Sequence, residues 1–232
     1  LLLLNTPGGN LDATFQVIEL IESSDIPVVG YVYPSGGKAW SAGTYILLST
    51  HVAAMAPFTL IGSCQPVSIS LLGSQTINDT KTMNALTAFL VEKARMHSRN
   101  ETAAGLFIAE NLNLNADDAE RFGVVELVAE SPEELLEKLD GTSVETASGE
   151  YTFHTLGAGL VEWSPSLKIQ VLSVISEPMV ALLLLMVGIY SLIFGFSSPG
   201  VGGEVAGAVL LILGLIGLGI TGVNVGALIL LS

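Results

Sequence analysis

Cysteine is almost absent. Of 232 residues only Cys64 carries a thiol, which excludes an internal disulfide and any metal site built on several cysteines. Basic residues are scarce as well. Eight Lys and Arg stand against 22 Asp and Glu, for a formal net charge of -14, and so acidic a surface repels phosphates. Nucleic acid is therefore excluded as a partner. All eight bases lie between Lys38 and Lys168, and beyond Lys168 only Glu177 and Glu204 are charged. The chain divides into an acidic body and a nearly uncharged tail. It opens LLLLN, without methionine or a signal-peptide pattern, and closes inside an apolar run, GALILLS; both ends read as cut.

The tail has the composition of a membrane region. Pro178 to Phe196 (PMVALLLLMVGIYSLIFGF) holds no charge, and as a helix it would be roughly 28 Å long, close to the thickness of a hydrocarbon core. After the loop SSPGVGG a second span is expected over about 203–221 and the start of a third over 223–232. Gly203 and Gly207, four apart, would let two helices approach closely. Lys168 is the only base near the spans, too little for the charge asymmetry of loops to set an orientation.

The body alternates strand and helix patterns. Leu1 to Leu4 reads as a fully buried strand, broken by Asn5-Thr-Pro-Gly-Gly. Leu11, Phe15, Ile18 and Ile21 recur at helical spacing; Ile26 to Tyr33 is strand-like; Trp40 to Ser49 reads as a second helix, and His51 to Met55 as a short strand. Helices are expected from about Thr80 to His97, over Asn115 to Phe122, and over Ser131 to Leu139, the last with Ser131 as cap and Pro132 in the first turn. VVELVA, from Val124, continues as a strand, and 141–172 reads as a connector with possible short strands. Such alternation favours a parallel sheet with crossover helices, whose strand carboxyl ends share one side. The Gly8-Gly9 loop and the Gly36-to-Ser41 turn both follow strands and belong on that edge.

Within GGKAWSAGTYI, Ser41 would open a helix, where unpaired N–H groups favour a developing negative charge. The Ala42 N–H and the side-chain-free Gly8-Gly9 backbone could then hold an oxyanion. On local sequence alone Ser41 reads first as a helix cap in a tight turn, because cap serines are far commoner than nucleophiles. Residues 39–43 read A-W-S-A-G, so the hydrolase G-x-S-x-G elbow is missing. None of the three histidines marks itself as a base. His51 lies at a strand start, His97 on a charged, solvated helix face and His154 in the connector. Lysine can act as the base if it is neutral. Lys81, in the first turn of its helix behind Asp79 and Thr80, is the candidate; Lys38, three residues before Ser41, competes with it. Asn78-Asp-Thr and Asn100-Glu-Thr match the N-glycosylation tripeptide, a pattern that arises often by chance.

The segments NTPGGNLDA, YPSGGKAWSAGTYI, MAPFTLIGSCQP and LNADDAERFGVVELVA, with Leu172-Ser-Val and Ser197-Ser-Pro-Gly in the tail, resemble the NfeD family of membrane-bound proteases, also called stomatin operon partner proteins. The resemblance implies an α/β body of the ClpP/crotonase-like fold, incomplete at the N-terminus because the family's first strands are missing, followed by transmembrane α-helices. On it, residues 1–140 are the protease domain, 141–172 the connector and 173–232 the transmembrane region. It implies a Ser-Lys dyad, with Ser41 as nucleophile and Lys81 as base, and Gly8, Gly9 and Ala42 as oxyanion donors. ClpP itself has a histidine downstream of its serine, and the matching stretch around Gly62 to Pro66 has none.

The function expected on this basis is a membrane-anchored serine endopeptidase needing no cofactor and no metal. It would cut apolar segments of a stomatin-like membrane partner, as a multi-pass protein and homo-oligomer in the plasma membrane of a prokaryote. Two rivals remain: a crotonase-type acyl-CoA enzyme, which shares the backbone oxyanion hole, and a non-catalytic scaffold that binds a stomatin-like protein.

Overall fold

The computed structural model describes residues 1–232 apart from 71–72, 78, 198–201 and 219–232. It separates into two units, Leu1–Gly159 and Leu160–Ser232. In the first, the chain runs β1 (Leu2–Leu4), α1 (Leu11–Glu22), β2 (Val29–Val32), β3 (Lys38–Trp40), α2 (Ala42–Leu48), β4 (Val52–Met55), β5 (Leu60–Gly62), β6 (Val67–Ser70) and β7 (Gly73–Thr76). It continues with α3 (Thr80–Met96), α4 (Glu101–Ala109), β8 (Asn113–Asn115), α5 (Ala116–Arg121), β9 (Leu127–Val128), α6 (Pro132–Leu139), β10 (Ser143–Thr146) and β11 (Gly149–Thr152).

The architecture is α/β. The main sheet is parallel, in the order β1-β2-β4-β9. Along β4 the side chains alternate between two cores. Ala53 and Met55 join Val32, Ile18, Leu47, Leu48, Leu90 and Phe107, while Val52 and Ala54 join Val29, Tyr31, Leu135, Leu139 and Phe153. Both faces of the sheet are therefore covered, as parallel strands require. The Tyr31 hydroxyl donates to the Ala129 carbonyl at 2.6 Å and ties the second core together. β1 departs from the fully buried strand expected of LLLL: Leu4 is buried, whereas Leu1 and Leu3 are about half exposed. Among the described residues only β2 flanks it.

A second sheet, β3-β5-β8, carries the site. β3 runs parallel to β5, and β8 antiparallel to β5. The chain leaving β1 crosses onto it: Thr6 N–H donates to the Lys38 carbonyl at 2.7 Å, and Trp40 N–H to the Thr6 carbonyl at 3.1 Å. The helix expected from Trp40 therefore begins two residues later. Lys38 to Trp40 are pulled into a strand by pairing partners on both sides, which a three-residue stretch does not advertise.

Five of the six helix starts in this unit follow one rule. Asn10, Asp79, Asn100, Asn115 and Ser131 each hold an extended or polyproline-like φ, and each accepts a hydrogen bond from the backbone N–H three residues on. Asn100 is thus used as a cap of α4, and its amide also donates to the Phe122 carbonyl. Asn78 lies outside the described residues.

His97 departs from the solvated face expected of it. It closes α3 with its ring 6.2 Å from that of His51, which accepts from the Val28 N–H. Beside it the buried Arg99 donates to both oxygens of Glu126 and to the carbonyls of Leu48 and Thr50, so it neutralises the carboxyl end of α2. Burial first, then the nearby Arg99, His51 and Lys93, lower the His97 pKa to about 4. An unfolded imidazole titrates near 6.5, so between the two values the unfolded chain binds a proton that the folded chain refuses. Stability should be unaffected above pH 6.5 and fall as pH drops through that window, by up to about 3 kcal/mol from this group. Thermal midpoints of the detergent-solubilised chain from pH 7.5 to 4.5 should show this slope, and His97→Gln should flatten it.

The second unit contains α7 (Leu167–Ile175), α8 (Pro178–Ser197) and α9 (Gly203–Gly217). Helix α7 starts inside the stretch read from sequence as a connector. Among the described residues, α8 is the one helix long and apolar enough to cross a membrane, and α9 is a shorter apolar helix. The two pack closely through small residues. Ala181, Gly188 and Gly195 recur every seven positions on α8 and face, in turn, Gly214, Gly207 and Gly203 of α9. A Cβ on Gly188 would lie 2.8 Å from the Leu211 nitrogen, and one on Gly207 2.6 Å from the Leu192 nitrogen. Only glycine allows so close an approach. The outward side chains, among them Leu183, Met186, Tyr190 and Phe194, are exposed. The end of the second expected span and the whole of the third fall outside the described residues.

Candidate active site

Ser41 stands where β3 ends and α2 begins, with φ 51° and ψ -117°. That region of backbone space is costly for any residue with a Cβ. It occupies the cap position of α2, yet its hydroxyl makes no capping bond, in contrast to the five capped helix starts above. The turn is held by the backbone instead. Ser41 N–H donates to the Gly62 carbonyl at 2.8 Å, while the Ser41 carbonyl accepts from Thr44 and Tyr45. The hydroxyl is thereby left half-buried and without structural employment among the described residues.

The loop after β1 closes on it. Gly8 has φ +132°, and a Cβ there would lie 3.0 Å from the Ser41 Cβ and 3.4 Å from its Oγ; one on Gly9 would touch the Ala42 Cβ at 3.7 Å. The structure thus brings Gly8, Gly9, Ser41 and Ala42 together. The donors are not equivalent. Gly8 N–H already donates to Thr6 Oγ1 at 3.1 Å, whose own proton goes to the Gly8 carbonyl. The N–H groups of Gly9 and Ala42 have no hydrogen-bond partner among the described residues.

Lys81 lies in the first turn of α3 with its side chain exposed, and no hydrogen bond joins it to Ser41 among the described residues. Asp79 does not hold it. Its carboxylate accepts from Thr82 N–H at 2.9 Å and from the Thr82 hydroxyl at 2.8 Å, which keeps its pKa below the usual carboxylate value. Helix α3 packs on α2 through Phe89 and Tyr45, whose rings are 6.4 Å apart. The competing Lys38 is engaged: its ammonium sits over the Trp40 ring, 4.1 Å from the centroid.

Neighbouring groups are quiet. Burial pushes the Cys64 thiol up to about 12, so it is no nucleophile near neutral pH. Tyr45 is raised by burial as well. Sequence reasoning gave no role to Thr44 or Gly62, both bound into the Ser41 turn; a glycine directly after the strand-like Leu60-Ile61 was the available signal. A cavity of about 610 Å³ lies elsewhere, lined by Ser49, His51, His97, Glu126 and residues of the β10–β11 hairpin, and none of the site residues borders it. Among the described residues no three metal-ligating side chains cluster.

Comparison with known proteins gives this geometry a context. The family described as NfeD1b, N-terminal domain, matches residues 1–148. The membrane-bound protease PH1510 of Pyrococcus horikoshii is 40% identical over 232 residues, covering 98% of this chain and 53% of that protein. Membrane protein NfeD1b of Bacillus subtilis (strain 168) is 27% identical over 212 residues, covering 86% of this chain and 44% of that protein. The chain spans about half the length of these curated relatives. Two solved structures of the 1510-N membrane-bound stomatin-specific protease are similar at 37% identity. A lysine-to-alanine variant in complex with a substrate peptide has a TM-score of 0.69, covering 73% of this chain and 79% of that one. A serine-to-alanine variant has a TM-score of 0.66, covering 70% and 80%.

Proposed function

The chain belongs to the NfeD family, and from that membership and the geometry at Ser41 we propose that it is a membrane-anchored serine endopeptidase working through a Ser41–Lys81 dyad. The observation that carries the reading is the uncapped, strained Ser41 turned against Gly8. A serine in a costly conformation whose hydroxyl caps nothing has that hydroxyl free to react.

The lysine is supported by spacing. In the two similar protease structures the substituted lysine lies about forty positions after the substituted serine, as Lys81 lies after Ser41. Lys93, Lys138 and Lys168 lie too far on. Lysine acts as a base only as the free amine, a form that desolvation beneath a bound apolar peptide favours. We therefore place closure of the dyad at substrate binding: the long Lys81 side chain turns from solvent toward Ser41.

Lys81 Nζ then takes the Ser41 proton, and Oγ attacks the scissile carbonyl carbon. The oxyanion is held by the N–H groups of Ala42 and Gly9, and by that of Gly8 once it releases Thr6. Collapse of the tetrahedral intermediate expels the amine, which takes the proton from Lys81 and leaves an ester on Ser41. Water, giving its proton to Lys81, attacks that ester, and Lys81 returns the proton to the departing Ser41 Oγ, which frees the acid product and restores the amine. The body corresponds on this reading to the ClpP/crotonase-like fold.

The substrate class follows from the relatives, one of which is named as stomatin-specific. An apolar segment of a stomatin-like membrane protein is the proposed target. Helix α8, about 30 Å long, anchors the chain in the bilayer, and α9, packed on it through glycine, makes the protein multi-pass. The test is incubation of the detergent-solubilised chain with a peptide copied from an apolar stomatin-type segment. Cleavage within the apolar run is expected. An intact peptide with turnover of an acyl-CoA thioester would establish the crotonase alternative, and neither activity would leave the scaffold.

A further inference from the structure

We propose that Thr44 is a positioning residue for the Ser41 nucleophile, a role that rests on the protease reading. Thr44 is fully buried in the first turn of α2. Its hydroxyl does not bond within its own helix. It donates to the Ala39 carbonyl at 2.6 Å and accepts from the Gly62 N–H at 2.8 Å. Ala39 belongs to β3 and Gly62 to β5, and the register pairs Trp40 with Gly62 at the last rung before Ser41. One hydroxyl thus fastens the helix to the ends of both strands.

The consequence reaches Ser41 through Gly62. The Gly62 carbonyl receives the Ser41 N–H at 2.8 Å, the bond that fixes the positive φ of the nucleophile turn. Gly62 is therefore gripped on both sides, its N–H by Thr44 and its carbonyl by Ser41. It has φ +125°, and a Cβ on it would collide with the Leu112 carbonyl oxygen, so the strand end cannot shift that way to compensate. Without the Thr44 hydroxyl, the Gly62 N–H loses its partner, and the carbonyl that holds Ser41 loses the 3.2 Å approach of that same hydroxyl. The strained turn can then relax and carry Oγ away from the Gly9 and Ala42 amides. The side chain is too deep to meet substrate itself, which makes it a positioning and not a catalytic residue.

Thr44→Val keeps the shape and removes both hydrogen bonds. In the full chain it should lower kcat for the apolar peptide about 10- to 100-fold, the usual effect of a displaced reacting group, with KM nearly unchanged. Amide hydrogen exchange at Gly62 and Ser41 should quicken. Thr44→Ser, which restores the hydroxyl without the methyl, should recover both readouts. A folded valine variant with unchanged kcat or unchanged exchange overturns the proposal, as does failure of serine to rescue. Should the valine variant not fold, Thr44→Ser and Thr44→Ala decide, differing only by the hydroxyl: serine should retain kcat and alanine lose it, and equal rates refute the role. If the wild-type chain cleaves no peptide, the protease reading fails, and the exchange rates alone judge the anchoring.

Discussion

Ser41→Ala is expected to abolish peptide cleavage, lowering kcat by a factor of about 10⁴ to 10⁶, the loss typical of removing a nucleophile from a dyad or triad. The fold should not suffer. The Ser41 hydroxyl caps no helix, so its removal leaves no partner unsatisfied. Alanine meets the same strain at φ 51° that serine already bears. The thermal midpoint of the variant should therefore match that of the wild type. An ordinary capping serine behaves in the opposite way, costing about 1 kcal/mol of stability on replacement by alanine and leaving turnover untouched. Activity and melting measured on one preparation separate the two roles.

Lys81→Ala should lower kcat by about 10³ to 10⁴ while binding of the apolar peptide persists, because the base acts on the reacting proton and not on substrate affinity. Lys81→Arg should not restore the rate, since a guanidinium stays protonated and cannot accept the proton. The side chain is exposed, and substitution of such a residue normally changes stability by less than about 0.5 kcal/mol. Loss of rate therefore cannot be ascribed to unfolding. If Lys81→Ala cleaves normally, the base lies elsewhere. Lys38 is then the next residue to replace, and its seat over the Trp40 ring means that it would first have to leave that face.

Where local sequence forces outweigh the rest of the fold, the elements were legible. Leu11, Phe15, Ile18 and Ile21 mark one helical stripe, and α1 occupies Leu11–Glu22. Ser131 and Pro132 open α6 as cap and first residue. Strand β3 was not legible, because three residues carry no period and their pairing partners, Thr6 and β5, are remote in sequence. His97 sits in a run of charged residues, yet the end of α3 turns it toward His51, a tertiary contact that no helical pattern encodes. At the candidate site, the expectation that the Gly8-Gly9 loop and the Ser41 turn share an edge came from both following strands, and Gly8 does lie against Ser41. That Thr6 would occupy the Gly8 amide was not foreseeable, since it depends on one threonine rotamer. The same limit hid Thr44, which reads as an ordinary β-branched residue in a helix until the strands on either side of it are placed.

The most direct test of the dyad is to catch the ester. Acid quenching during turnover of the apolar peptide, followed by mass mapping of the chain, should find the N-terminal product fragment attached to Ser41. The adduct should be absent from Ser41→Ala and much slower to form in Lys81→Ala. Cleavage that proceeds at full rate while Ser41 stays unmodified, with the acyl group found on another residue, would contradict the account.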